Sequence, residues 1–152
     1  MLEAMTIGEM LLRAGLAVAM GVCIGWNREL HHKAAGVRTM ALVSLGAAGM
    51  MMAAVEVVAL VDDGGSRMDV LRVASGVIGG IGFLGAGSII QSRGTVHGMT
   101  TAASIWSSAA VGIACGLGLL RLATVLFVMV MLVLVVLSLF KAKVLPERDP
   151  AT

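Results

Sequence analysis

Five long runs without a charged residue constrain this chain of 152 residues more than any other feature of its sequence. They cover residues 14–27, 39–55, 73–92, 94–120 and 122–140. A helix needs about 20 mostly apolar residues to cross the hydrocarbon core of a bilayer. The runs therefore predict membrane-spanning helices, and five such helices fit within the length of the chain.

The composition excludes the main alternatives to a membrane protein. Hydrophobic residues make up 59% of the chain and charged residues only 13%, whereas soluble domains average about 25% charged residues. A soluble domain of this size could not bury so much apolar surface. Two distant cysteines cannot form a disulfide framework. A net charge of +2 without a basic cluster gives no reason to expect a nucleic-acid partner.

The predicted fold class is an all-α integral membrane protein, a bundle of five transmembrane helices. A transmembrane domain is expected over residues 1–141 and a short polar cytoplasmic tail over 142–152. The predicted helices cover about 7–26, 39–61, 70–91, 99–117 and 119–140.

Lysine and arginine in short loops predict the orientation, because these residues favour the cytoplasmic side. With five spans, seven of the eleven Lys and Arg residues fall on the side of the first loop and the C-terminal tail, and four on the other side. Acidic residues lean the opposite way. We therefore expect an extracytoplasmic N-terminus, a cytoplasmic C-terminus and a location in the bacterial inner membrane.

Small residues at helical spacing predict how the helices pack, since close backbone approach drives helix association in lipid. We expect the first, third and fourth helices to form a tight inner cluster and the fifth to face lipid. The Gly21/Gly25 face would also permit a homodimer. The glycines predicted to pack are Gly21, Gly25, Gly76, Gly80, Gly82, Gly85, Gly87, Gly112 and Gly116.

Motifs for chemistry are weak in this sequence. Residues 80–85 read GIGFLG, a literal GxGxxG, but no acid follows between Asp69 and Glu147, so a dinucleotide site is not predicted. Glycine packing, or a broken helix lining a polar cavity, explains the segment instead. No ligand spacing for zinc is present, and hydrolase and kinase motifs are missing. We predict no enzymatic activity, no cofactor and no metal site.

Three polar groups lie near the predicted cytoplasmic interface. They are either simple interfacial anchors or a partly buried functional cluster, because charges at membrane depth must pair or line a cavity. The candidate residues are Asn27, Arg28, Glu29, Arg38 and Thr39 around the first loop, Gln91 and Arg93 after the third helix, and Thr100, Thr101, Ser104 and Trp106 in the fourth.

The same segments carry a family resemblance. Residues 24–30 read IGWNREL, 35–43 read AGVRTMALV, 80–87 read GIGFLGAG and 98–106 read GMTTAASIW. In this order, and over about residues 12–120, the chain resembles the MgtC/SapB family of bacterial inner-membrane proteins.

The resemblance implies a five-helix membrane domain with a role in adaptation to low magnesium and, in pathogens, in virulence and survival inside macrophages. It also implies a regulator of a membrane partner such as the F-type ATP synthase. Asn27 and Gly76 stand where the family usually has Glu and Gln, which removes polar groups from the candidate cluster. The family's soluble C-terminal domain is not expected in this chain.

Two functions remain open at this point. One is a non-enzymatic regulator that contacts another membrane protein through its small-residue faces. The alternative is a small transporter or channel for magnesium or another ion. It would use the glycine-rich third helix beside the Thr/Ser ladder of the fourth, which is Thr100, Ser104 and Ser108, together with the Arg28/Glu29/Arg38 cluster. A water-filled path between these two helices would favour transport, and dry packing would favour regulation.

Overall fold

The computed structural model describes residues 5–60, 70–92 and 94–144, with side chains up to residue 138. It contains five α-helices and one two-stranded hairpin in these ranges. In chain order the elements are α1 (Ile7–Leu30), α2 (Val37–Leu60), α3 (Val70–Gly87), β1 (Ile90–Ser92), β2 (Thr95–His97), α4 (Met99–Gly116) and α5 (Leu120–Val144).

Helix α1 begins at a capping box. The Thr6 hydroxyl accepts a hydrogen bond from the backbone N–H of Glu9, and the Glu9 carboxylate accepts one from the backbone N–H of Thr6. The two bonds satisfy donors that a helix start otherwise leaves unpaired. The helix then continues to Leu30, further than the predicted end at residue 26, so that Asn27, Arg28 and Glu29 belong to its last turns.

Two arginines of α1 mark the two ends of the bundle. Arg28, near the end of α1, contacts Thr101 at the start of α4, and Arg13, near the start of α1, contacts Gly116 at the end of α4. Helices α1 and α4 are therefore antiparallel. We call the end with Arg28 the Arg28 end and the opposite one the Arg13 end.

Helix α2 lies at the centre of the bundle and packs against α1, α3 and α4. The buried core between these helices includes Ile24, Met40, Met51 and Val111. The prediction of an inner cluster of the first, third and fourth helices is wrong, because the small residues of α1 and α4 meet the backbone of α2, whereas α3 buries only Ile81 and Gly85.

Helix α3 ends at Gly87, before the predicted end at residue 91, and a hairpin follows. Strands β1 and β2 pair antiparallel, with Gln91 opposite Val96. Gly94 and Gly98 take positive φ angles of 82° and 91°, which favour glycine. The β-branched residues around them suit short strands, and so Gln91 lies in an exposed strand instead of a helix.

Within the described residues, four helices are long and apolar enough to cross a membrane: α1, α2, α3 and residues 120–138 of α5. Helix α4 is not among them, because its Thr and Ser residues lower its hydropathy. More than half of its residues are buried, however, so neighbouring helices cover it. Helix α5 buries the smallest share of its residues among the four candidate spans. The count of five spans and the orientation stay predictions.

Candidate functional site

The most unusual side chain of the Arg28 end is Arg28 itself. It is only 5% exposed, and its Nη2 donates a hydrogen bond of 2.9 Å to the hydroxyl of Thr101, which is also 5% exposed. Its Nε is buried without any acceptor among the described residues. No described carboxylate forms an ion pair with it. A buried charge without a partner is costly, and this arginine is therefore the strongest functional candidate of the cluster.

The first turn of α4 lies beside this guanidinium. Gly98 precedes the helix in the left-handed region and offers no side chain to cap it. The first N–H groups of a helix have no acceptor inside the helix. Met99 and Thr100, in the same turn, are exposed on the surface of the chain. Thr101 is the third residue of the helix, so the guanidinium contacts a turn whose N–H groups no side chain caps.

Glu29, next to Arg28 in the sequence, binds the start of α2 and not the Arg28 guanidinium. Its Oε2 accepts a hydrogen bond of 3.0 Å from the backbone N–H of Val37, the first residue of α2. A carboxylate at this position also interacts favourably with the positive end of the α2 dipole. Gly36 leaves room for it, since a Cβ there would lie 2.6 Å from the same oxygen. Glu29 thus caps α2 and does not neutralise Arg28.

The remaining candidates do not join a buried cluster. Ser104 is buried and its hydroxyl donates to the Thr100 carbonyl oxygen of its own helix. Arg93 lies outside the described residues. Asn27 is partly exposed, and the other predicted residues are exposed: Arg38, Thr39, Gln91, Thr100 and Trp106.

Four of the predicted glycines lie at tight contacts with α2. A Cβ at Gly21 or Gly25 would meet the backbone of Met40 or Val37, and one at Gly112 or Gly116 would meet the backbone of α2 from the other side. The Gly21/Gly25 face is therefore occupied within the chain and is not free for a homodimer. Whether the protein forms a homodimer through another face stays a prediction.

The glycines of α3 behave differently. Gly85 makes an ordinary contact, since a Cβ there would lie 3.7 Å from Ala102, whereas a Cβ at Gly76, Gly80, Gly82 or Gly87 would meet nothing within 4 Å. An open groove of about 440 Å³ runs between α2 and α3. We call it the glycine groove. No polar side chain lines it, and the lining residues are Leu42, Val43, Gly46, Ala47, Met50, Gly76, Val77, Gly80, Ile81 and Leu84.

Sequence reasoning missed two features of the α4 contacts. The Nη1 of Arg13 donates to the Gly116 carbonyl oxygen at 3.1 Å, so this residue binds the end of α4. The Ser108 hydroxyl donates to the Met40 carbonyl oxygen of α2 at 2.9 Å. The i, i+4 spacing of Ser104, Ser108 and Gly112 indicated the face but not its partner helix.

Metal ligands are not gathered in the described part of the chain. Among residues 5–60, 70–92 and 94–144, no three His, Cys, Asp or Glu side chains lie close enough together to hold a metal ion. The acidic loop residues Asp62, Asp63 and Asp69 lie outside the described residues.

The long apolar helices of the described residues define a class, that of helical membrane proteins. Comparison with known sequences gives the family. The sequence model of the MgtC family matches residues 15–143, and this chain therefore belongs to the MgtC family and is a membrane protein.

Relatives from several bacteria support this assignment. "Protein MgtC" of Brucella abortus (strain 2308) is 42% identical over 77% of this chain and 46% of its own length. "Protein MgtC" of Salmonella typhimurium (strain LT2) is 37% identical over 76% and 47%. An uncharacterized protein of Haemophilus influenzae is 39% identical over 76% and 50%. The chain spans about half the length of these relatives, and no solved structure matches it.

Proposed function

We propose that this chain is a multi-pass inner-membrane regulator that docks a transmembrane helix of another protein in the glycine groove. In this proposal it crosses the membrane five times, with the N-terminus outside, and acts without enzymatic chemistry. Its membership of the MgtC family supports a role in adaptation to magnesium limitation, and an ion-translocating complex such as the F-type ATP synthase is the partner we would test first.

The single observation that carries the proposal is the open glycine surface of α3. Gly76 and Gly80 stand one turn apart on the groove, with Gly46 of α2 facing the same space. None of the three has an atom within 4 Å of its Cβ position. In a bilayer, surfaces of this kind let another helix approach closely and gain dispersion energy. Since the lining holds no polar side chain, it suits an apolar helix better than an ion.

The hydroxyl groups of α4 give less support to transport. Ser104 and Ser108 donate to backbone carbonyl oxygens inside the bundle, one within α4 and one to α2. The glycine groove is lined by α2 and α3 alone, and no residue of α4 contributes to it. The two features that an ion path would combine therefore lie on separate surfaces.

Filling the groove tests the proposal. Gly80→Leu places a large side chain in the open space, where it should block a docked helix without a clash inside the chain. Gly15→Leu is the matched control, because Gly15 of α1 is exposed and likewise has nothing within 4 Å. We expect Gly80→Leu not to co-purify with the membrane partner and not to restore the growth of a deletion strain in low magnesium. Gly15→Leu should do both.

Two results would contradict the proposal. One is full activity of Gly80→Leu at normal expression in the membrane, which would show that the groove is not used. The other is a flux of magnesium into proteoliposomes that contain only this protein. If Arg28→Gln abolished that flux, transport would be favoured.

A further inference from the structure

The two ends of α4 are contacted by two arginines of α1, Arg13 and Arg28, and the dipole of α4 acts on them in opposite ways. Arg13 lies at the C-terminal end of α4, where it donates to the free carbonyl oxygen of Gly116. A cation there is stabilised by the negative end of the helix dipole. Arg28 lies at the N-terminal end, beside Thr101, where the dipole is positive and repels a cation.

Arg28 also lies in the last turn of α1, where the negative end of that helix's dipole offsets part of this repulsion, but no described carboxylate pairs with the side chain. The side chain is 5% exposed and its Nε has no acceptor among the described residues. Glu29, the nearest carboxylate in the sequence, binds the N–H of Val37 instead. The described basic residues of the same end, including Lys33 and Arg38, add further positive charge. The described residues of the Arg28 end thus carry more positive than negative charge.

We propose that the Arg28 end binds a phosphate oxyanion between the Arg28 guanidinium and the first turn of α4. The uncapped N–H groups at the start of a helix and a neighbouring arginine are together the donor set that phosphate groups favour. Thr101, which already accepts from Arg28, has a hydroxyl hydrogen left to donate. An anion here would neutralise the buried charge and interact favourably with the positive end of the α4 dipole.

The exposure of the same turn gives the anion access. Met99 is 63% exposed and Thr100 is exposed, although Arg28 and Thr101 behind them are buried. The chemistry is the same for free phosphate and for the phosphate of an anionic lipid headgroup at the membrane surface. The inference does not depend on the proposed regulatory function, because the glycine groove involves neither Arg28 nor α4.

The test uses the full chain in a maltoside detergent that contains no phosphorus. Inorganic phosphate is titrated in one arm, with chloride at equal ionic strength as its control, and phosphatidylglycerol in the other, with phosphatidylcholine as its control. Calorimetric binding and the midpoint of thermal unfolding are measured. We expect saturable binding and a raised midpoint with inorganic phosphate if the anion is free, or with phosphatidylglycerol alone if the site takes a headgroup.

Three variants assign the binding to Arg28. Arg28→Gln should weaken it at least about tenfold, as expected for loss of charge-assisted hydrogen bonds. Arg28→Lys keeps the charge but lacks the planar, forked guanidinium, and it should lose less affinity than Arg28→Gln. Arg13→Gln removes the same charge at the Arg13 end and should leave binding unchanged. Without added anion, Arg28→Gln should unfold no earlier than the unsubstituted chain, because the unpaired charge is gone.

Several results would overturn the inference. They are an absence of response to both phosphate and phosphatidylglycerol, an equal response in Arg28→Gln, and an equal loss in Arg13→Gln, which would indicate nonspecific attraction to basic residues. If Arg28→Gln does not fold, Arg28→Lys tests the inference instead. Unchanged affinity of that variant for phosphate and phosphatidylglycerol would contradict a site built on the guanidinium fork.

Discussion

Gly112 of α4 shows at the scale of a single residue how closely the central helices approach. Its Cβ position falls on the backbone of Ser44 in α2, and one turn away the Ser108 hydroxyl donates to the Met40 carbonyl oxygen. The glycine allows the two backbones to meet, and the hydroxyl uses that proximity for a hydrogen bond between helices. Neither interaction could form if the helices stood further apart.

We expect Gly112→Ala to destabilise the protein by about 1–3 kcal/mol or more, because a methyl group would force α4 away from α2. Gly49→Ala is the control, since Gly49 of α2 has nothing within 4 Å of its Cβ position. There alanine should be neutral or stabilising by up to about 1 kcal/mol through its helix propensity. Thermal unfolding of both variants in detergent measures the difference, and equal stability would contradict the close contact.

Ser108 contributes through its hydrogen bond. Ser108→Ala leaves the Met40 carbonyl oxygen without this donor and should cost about 0.5–1.5 kcal/mol. Ser107→Ala is a control on the next residue, where the hydroxyl donates within α4 to the Ala103 carbonyl oxygen. We expect a smaller change there, and the same unfolding measurement compares the two. A loss as large in Ser107→Ala would assign the effect to helix propensity and not to the contact with α2.

At the scale of an element, the hairpin between α3 and α4 fixes where α4 begins. Gly98 joins β2 to α4 with a φ of 91°, and its Cβ position coincides with the Ser88 carbonyl group just after α3. The chain therefore turns tightly against the end of α3 before α4 starts. This turn leaves the first N–H groups of α4 uncapped beside Arg28.

Gly98→Ala should therefore disturb the start of α4 by more than the cost of placing alanine in the left-handed conformation. Gly94→Ala is the matched control, because Gly94 has a similar φ of 82° but open space around it. We expect Gly94→Ala to cost about 1–2 kcal/mol for the left-handed conformation. Gly98→Ala should cost more because of the added clash with Ser88. Amide hydrogen exchange of Ala102, whose N–H donates to the Gly98 carbonyl oxygen, would reveal the difference, and equal protection in both variants would refute it.

For the whole molecule, the antiparallel contacts of α1 and α4 place the first loop and the hairpin at the same end of the bundle. The predicted topology puts that end in the cytoplasm, with the basic residues. Ala34→Cys in the loop after α1 and Ser92→Cys in the hairpin test both statements. We expect both cysteines to be labelled by a membrane-impermeant thiol reagent only when the cytoplasmic side is open.

The unsubstituted chain is the control for this experiment, because Cys23 and Cys115 lie within α1 and α4. Labelling of Ala34→Cys and Ser92→Cys from opposite sides would contradict the shared end. Labelling of both from outside would keep the fold and reverse the orientation.

The helices could be predicted closely because the positions of charges limit where a chain can cross a bilayer. The predicted starts at residues 7, 70 and 99 agree with α1, α3 and α4. The hairpin could not be predicted in this way, since Ile89, Ile90 and Val96 are as apolar as a helix interior. Of the polar candidates, the sequence named Arg28 and Thr101, and the structure brought these two together.

What the sequence determined by itself is therefore the class of protein, its apolar helices and its family, because these depend on local composition and on motifs in order. Only the tertiary structure decided which glycines are covered and which arginine is buried. Gly25 and Gly80 both lie in apolar helices with glycines at helical spacing, yet one touches α2 and the other faces an open groove. The reason is physical: the burial of a helix face depends on the rotation and neighbours of the helix, and residue spacing within one helix records neither.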